Sequence, residues 1–132
     1  MDVNFVIVAA LVQAFICAGV VVFQICLASG APWGEYALGG QNRGVLPKSL
    51  RITSVVSALI MLAQSGHYLA QADVLPQLLG SLWNEVVNWF WFAFAALGLI
   101  MNAISRSKKE RTLWLPVLAI SVGATLIVAL NA

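Results

Sequence analysis

Hydrophobic residues of this 132-residue chain form four long runs that are separated by short polar segments. The runs cover about residues 3–28, 52–72, 86–105 and 113–131, and none of them contains Lys, Arg, Asp or Glu. A helix needs about 20 apolar residues to cross roughly 30 Å of hydrocarbon, whereas a transmembrane strand shows alternating apolar residues. The pattern therefore predicts an all-α membrane protein: a single integral membrane domain over residues 1–132, built as an antiparallel bundle of four transmembrane helices.

The composition supports the same class, since 61% of the residues are hydrophobic, only 9% are charged and the mean hydropathy is +0.93. A soluble domain carries about 25% charged residues, so this chain has too few charges to cover a surface exposed to water. The first run has no basic segment before it and is longer than the hydrophobic part of a signal peptide. We therefore interpret the first run as a retained helix.

All basic residues lie in two polar segments: Arg43, Lys48 and Arg51 in one, and Arg106, Lys108, Lys109 and Arg111 in the other. Four crossings place both segments on one side of the membrane with Glu35 and Glu110, which gives that side a net charge of +5. The other side holds Asp2, Asp73 and Glu85, a net charge of −3. Because Lys and Arg are retained on the cytoplasmic side, we expect both termini to be extracytoplasmic. The basic residues are expected to contact lipid head groups, so the bilayer is a predicted partner and nucleic acid is not.

Polar side chains share one face of each predicted helix when positions are set about 100° apart. The four faces carry Gln13, Cys17 and Gln24; Thr53, Ser57, Gln64, His67, Tyr68 and Gln71; Asn84, Asn88, Trp91 and Asn102; and Trp114, Ser121 and Thr125. Amides that face lipid are costly, so these faces are expected to converge inside the bundle. Two interpretations stay open: hydrogen bonds that join the helices, or the lining of a ligand cavity or pathway.

His67 is the one intramembrane residue that titrates near neutral pH when unperturbed, and it lies near the predicted outer end of the second helix. Residues near that end suggest a ligand-binding site of Gln13, Gln64, His67, Tyr68, Gln71, Glu85 and Asn88. The alternative for His67 is a single hydrogen bond between helices. One histidine and one glutamate are too few for a zinc site, and no catalytic or cofactor motif occurs, so we assign no metal, no cofactor and no catalytic residue.

The segment from about residue 29 to 51 holds five glycines and two prolines, which argues against a continuous helix. We expect a loop folded against the cytoplasmic mouth of the bundle, with a re-entrant element as the alternative. In the last helix, Pro116 is expected to lie in the first turn, where proline is tolerated.

Two stretches carry a resemblance to known proteins. The first runs from Gly30-Ala-Pro-Trp-Gly-Glu-Tyr36 through Gly39-Gly40 and Gly44-Val-Leu-Pro47 to Leu50-Arg51, and the second comprises Asn102-Ala-Ile-Ser-Arg-Ser107, Glu110-Arg111, Trp114 and Pro116. They resemble an uncharacterised family of small four-helix bacterial integral membrane proteins. The resemblance implies a multi-pass protein of the bacterial inner (cytoplasmic) membrane, without a named activity. It also directs attention to a second group, on the cytoplasmic side: Trp33, Glu35, Tyr36, Arg43, Arg51, Asn102, Arg106, Glu110 and Arg111.

Three functions remain as hypotheses. The first is a homo-oligomer that binds or transports a small or lipid-like ligand through the polar-lined bundle, because one small bundle lines a pathway only with partners. The second is a structural or accessory subunit without chemistry, bound to a larger membrane partner. The third is a membrane enzyme on a lipid-like substrate, with His67 and Glu85 as an acid–base pair.

Overall fold

The computed structural model describes residues 2–131, and within them it contains four long α-helices. These are α1 (Val3–Ala28), α2 (Lys48–Gln71), α3 (Ser81–Ala103) and α4 (Lys108–Leu130), with two 3-10 turns between α1 and α2 at Gly34–Tyr36 and Leu38–Gly40. Each of the four helices is long and apolar enough to cross a membrane. The prediction of an all-α chain with four helices able to span a membrane is therefore confirmed.

Three helices begin four or five residues before the apolar runs that predict them. α2 begins at Lys48, directly after Pro47, and α4 begins at Lys108 because Ser107 caps it. The Ser107 hydroxyl accepts a hydrogen bond of 3.1 Å from the Glu110 amide, as expected of a helix cap. Apolar runs mark the part of a helix that lipid surrounds, whereas the helix itself continues into the polar interface.

The early start of α4 corrects the expectation for Pro116. It lies inside the helix and not in its first turn. Proline has no backbone N–H, so the carbonyl of Thr112 lacks its usual helical donor. Transmembrane helices tolerate such a position because neighbouring groups or local adjustments satisfy the freed carbonyl.

Helix α1 packs along α2 and against α4, and α3 packs along α4. Backbone contacts between α2 and α3 are few by comparison. At the end near the 72–80 connection, polar side chains join α2 to α3, among them His67 and Asn88. We call this the opposite end, because it lies across the bundle from the basic end. The basic end is formed by the 29–47 loop and the starts of α2 and α4.

The packed core lies in the half of the bundle nearer the opposite end. It combines small side chains with a few large ones: Ala9, Ala10, Ala14, Tyr68, Ala72, Trp91, Ala124 and Val128. Small residues allow membrane helices to approach closely. The half nearer the basic end contains the cavity described below.

Candidate functional site

The 29–47 loop is held against the start of α4 by side chains of Ser107 and Trp114, which donate hydrogen bonds to the loop backbone. The Ser107 hydroxyl donates to the Glu35 carbonyl at 2.6 Å, and the Trp114 indole donates to the Tyr36 carbonyl at 2.8 Å. Within the loop, the Gly34 amide donates to the Gly44 carbonyl at 2.8 Å. The loop therefore forms a folded cover over this end of the bundle.

Two glycines are required by the way the loop folds. A Cβ at Gly34 would overlap the backbone carbonyls of Asn42 and Gly44, and one at Gly40 would overlap the side chain of Ser107. Gly40 also has a φ of +71°, in the left-handed region that favours glycine. Close approach of the loop to itself and to α4 thus depends on residues without side chains.

Beneath this loop, the four helices line a cavity of about 280 Å³. Its wall is mainly apolar, with polar groups from every helix and from the loop. The lining residues are Val20, Phe23, Gln24, Tyr36, Ala37, Leu38, Thr53, Ser54, Ser57, Ile60, Met61, Phe94, Asn102, Glu110, Trp114 and Leu118. Since α2 and α3 share few contacts and Ile60 and Phe94 are exposed, we infer that the cavity opens between these helices toward lipid.

Glu110 is the one acidic residue in this cavity wall, and it is only 7% exposed. The Gly39 amide and the Ser105 side chain face its carboxyl group. Its Oε2 atom is nevertheless buried without a hydrogen-bond partner among residues 2–131. A buried polar atom in this state is uncommon in native proteins and needs an explanation.

The helix cap does not provide that explanation. Ser107 and Glu110 have the spacing of a capping box, in which the glutamate would bond to the amide of the capping residue. Here the Ser107 amide donates instead to the Ser105 hydroxyl at 3.2 Å. The Glu110 carboxylate therefore does not complete the cap, and the residue lines the cavity.

Basic residues at this end are engaged elsewhere or exposed. Lys109 contacts Glu35 at 2.7 Å, Arg111 donates to the Ser105 carbonyl and Arg51 donates to the Ala28 carbonyl at 2.9 Å. Arg106 is exposed. In the described part of the chain, no basic side chain forms a salt bridge with Glu110.

Aromatic rings form one wall of the cavity. Phe23 meets Trp114 edge to face at 4.9 Å between ring centroids, and it stacks with Trp33 at 6.1 Å. Trp114 follows Glu110 by four residues, so both side chains lie on the same face of α4. Both residues line the same cavity.

Of the residues predicted on the cytoplasmic side, three meet at the cavity: Tyr36, Asn102 and Glu110. The others surround it, with Glu35 also lying 3.9 Å from Arg43. Lys109 was not among the predicted site residues, although its ammonium group pairs with Glu35 and lies 5.8 Å from the Tyr36 ring centroid. The sequence identified the lining residues Gln24, Thr53 and Ser57 only as members of the polar helix faces and not as site residues.

The residues predicted near the outer end fall into separate groups. At the opposite end, His67 Nε2 lies 2.7 Å from Asn88 Oδ1, and the Gln71 amide exchanges hydrogen bonds of 2.7 and 2.9 Å with Asn84. Glu85 is exposed and forms no recorded hydrogen bond or ion pair with His67. The acid–base pair considered for an enzyme is therefore absent from this arrangement.

Gln13 and Gln64 lie instead at the centre of the bundle. The side-chain carbonyl of Gln64 accepts hydrogen bonds from the side-chain amide of Gln13 at 2.7 Å and from the Cys17 thiol at 2.8 Å. The Ser121 hydroxyl donates to the side-chain carbonyl of Gln13 at 2.8 Å. Tyr68 is buried nearby, and its hydroxyl has no partner in residues 2–131. These contacts join α1, α2 and α4, and none of the seven predicted outer residues lines the cavity.

Acidification is expected to weaken attachment of the loop through Glu35. The hydrogen bond and positive charge of Lys109 lower the pKa of Glu35 below its ordinary value of about 4.3. This contribution to stability is present above the ordinary pKa and is lost as the pH falls through the lowered one. Thermal midpoints in nonionic detergent should therefore decline more for the parent than for Glu35→Gln below about pH 4. An equal decline of the thermal midpoint in the parent and in Glu35→Gln would contradict this role of Glu35.

No family model, curated protein or solved structure matches the chain. The resemblance noted from the sequence therefore stays a prediction. Fold and site define a small multi-pass membrane protein with a covered, mainly apolar cavity and one buried carboxylate. No group of three or more His, Cys, Asp and Glu residues within 2–131 has an arrangement that would hold a metal ion.

Proposed function

We propose that this chain is a small protein of the bacterial inner membrane that binds a lipid-like molecule in the cavity beside Glu110. The observation that carries the proposal is the cavity itself, which combines a mainly apolar wall with a buried carboxylate whose Oε2 atom has no hydrogen-bond partner among residues 2–131. Ligand pockets commonly have this character: mostly apolar linings with a few polar groups that orient the ligand.

The size and position of the cavity favour part of an amphiphile over a large soluble metabolite. Its volume of about 280 Å³ lies near the lower limit of roughly 300–1,000 Å³ that is usual for ligand pockets. An opening between α2 and α3 would admit a molecule from the bilayer and leave its tail among lipid chains. The ligand would therefore partition into the membrane first and reach the protein from there.

Binding is favoured over passage through a single protomer. Beyond the cavity, Gln13 is hydrogen-bonded to both Gln64 and Ser121, and small core residues close the bundle. Transport would require this packed half to open or a homo-oligomer to line a path between protomers. We therefore place binding first and treat transport as its extension in an oligomer.

A cavity-filling substitution tests the proposal. Ser57→Leu should reduce the thermal stabilisation that amphiphiles of a mixed panel give the purified protein, because the larger side chain occupies the lined space. Ser49→Leu is the matched control, since Ser49 is exposed on the same helix and lies outside the cavity lining. Absence of any stabilisation in the parent, or equal stabilisation in both variants, would count against the cavity as the site.

For orientation, we propose an antiparallel arrangement with the basic end in the cytoplasm and both termini outside. Its support is the +5 to −3 charge asymmetry between the two ends. A membrane-impermeant maleimide should label Leu78→Cys on intact spheroplasts and Gln41→Cys only after permeabilisation. The parent chain, which has Cys17 buried and Cys26 partly buried in α1, serves as the control. Labelling of Gln41→Cys on intact spheroplasts would reverse the orientation.

A second candidate function, an accessory subunit, has one specific observation in its favour. A groove of about 430 Å³ runs between α1 and α4, and every lining side chain is apolar: Val8, Leu11, Val12, Phe15, Ile16, Val117 and Ile120. Such a groove suits the side chains of a neighbouring transmembrane helix. Copurification of a larger membrane protein in fixed ratio, lost on Val12→Trp, would favour this candidate; a partner-free preparation from native membranes would not.

A further inference from the structure

Glu110 is a buried carboxylate for which residues 2–131 provide no positive partner. It is 7% exposed, its Oε2 atom has no hydrogen-bond partner, and Lys109 and Arg111 contact other groups. A buried carboxylate that has an unsatisfied oxygen and no positive partner either takes up a proton or pairs with a cation, because an uncompensated charge is costly away from water. Its surroundings indicate which kind of partner would fit.

The local structure does not need the charge of Glu110. Gly39 and Ser105 face one side of the carboxyl group and keep it in place, and a neutral amide of the same shape would occupy the same position. The helix cap uses Ser105 and Ser107 instead. The Oε2 atom is therefore left without a local partner among residues 2–131, on a residue that lines the cavity.

The neighbouring wall also suits a cation. Trp114 borders the cavity one helical turn after Glu110, and its indole ring is held by the hydrogen bond to Tyr36 and by contact with Phe23. Aromatic faces attract ammonium groups, most strongly where water is displaced. A carboxylate and a fixed indole on one face of α4 together form a complementary site for an amine or quaternary ammonium group.

The rest of the lining is suited to the apolar part of the same molecule. Val20, Met61 and Leu118 line the wall, while Ile60 and Phe94 mark the opening toward lipid. Resting on the proposed function, we infer that the ligand is a cationic amphiphile whose ammonium group pairs with Glu110 and whose apolar chain leaves between α2 and α3. The basic residues of this end disfavour approach of a cation from water, which is consistent with entry from the bilayer.

The experiment compares two probes of equal chain length, dodecyltrimethylammonium and dodecanol, by their dissociation constants for the purified protein in nonionic detergent. The cationic probe is expected to bind the parent at least about tenfold more tightly, since charged pairs and cation–π contacts each favour it. Glu110→Gln should abolish this preference and retain the affinity for dodecanol. Glu85→Gln removes an exposed carboxylate at the opposite end and should leave the preference intact.

The outcomes separate the inference from the proposed function. Equal affinity of the parent for the two probes overturns the inference of a cationic ligand but leaves the cavity as a binding site. A cationic preference that persists in Glu110→Gln overturns the assignment to Glu110. Failure of both probes and of the wider panel to bind overturns the proposed function as well. The comparison of the two probes on the parent decides whether the site prefers a cationic ligand, even if Glu110→Gln does not fold.

Discussion

Replacing Gly34 with alanine is expected to release the 29–47 loop from the start of α4. The new Cβ would overlap the backbone carbonyls of Asn42 and Gly44, which a rotamer change cannot relieve. Overpacking of this kind costs about 1–3 kcal/mol. Because the loop can detach from the bundle, the cost is limited to the free energy that holds the loop in place.

Proteolysis measures that release directly. Cleavage after Arg43 by trypsin requires the loop backbone to open, and its rate follows the population of the open state. We expect the rate to rise roughly 10- to 100-fold in Gly34→Ala, as the free-energy cost implies. The matched control is Gly80→Ala, whose added Cβ meets no atom within 4 Å and whose φ of −63° suits alanine. A cleavage rate close to that of the parent would show that the loop is not held as described.

Substitution of Gln64 by leucine is expected to produce the largest loss of stability in the bundle core. Gln64 is 1% exposed and accepts hydrogen bonds from Gln13 and Cys17, so its removal leaves the buried Gln13 amide without its main acceptor. Leaving a buried polar group unsatisfied costs about 1–3 kcal/mol. Unfolding of the purified protein in mixed micelles with increasing denaturing detergent should show this loss.

A double substitution distinguishes loss of the hydrogen bond from poor packing. Gln13→Leu with Gln64→Leu removes both partners, and it should be less destabilising than the sum of the single changes by about 1 kcal/mol. Ser121 then loses its acceptor but retains the option of bonding to its own helix backbone. Gln24→Leu is the control on α1, because Gln24 forms no hydrogen bond through its side chain within residues 2–131. Strictly additive effects would assign the loss to side-chain shape.

The centre of the bundle could be anticipated from the sequence because helical periodicity fixes which residues share a face. Gln13, Gln64 and Ser121 lie on the polar faces of three predicted helices, and they meet in the structure. Periodicity does not set the depth at which helices contact one another. This is why Gln13 and Gln64 lie at the centre and His67 at the opposite end, although the sequence suggested one site.

The polar contacts between α2 and α3 at the opposite end depend on which face of α3 each residue occupies. Asn84 and Asn88 are four positions apart and both face α2. Glu85 lies one position after Asn84 and is turned about 100° around α3, which makes it exposed. Sequence proximity to His67 made Glu85 attractive as a partner, but the rotation of α3 selects Asn88.

Burial of Glu110 could not be anticipated from local pattern. Glu35 and Glu110 both lie in the predicted basic segments, yet Glu35 is partly exposed and paired with Lys109 whereas Glu110 is buried. The difference arises from the backbone of Leu38–Gly40, where three consecutive residues have positive φ values of 54°, 74° and 71°. The Gly39-Gly40 doublet indicates a turn, but its position over α4 depends on contacts between segments distant in sequence.

Pro116 affects the mechanics of the cavity as well as its wall. It lies between Trp114 and Leu118, both of which line the cavity, and it removes one hydrogen bond of α4 at that level. A helix bends most readily where its hydrogen-bond ladder is interrupted. Because Pro116 lies beside the cavity, α4 would bend most readily at that level. In the proposed binding function, such a bend would accommodate ligands of different bulk without disturbing the Gln13–Gln64 contact.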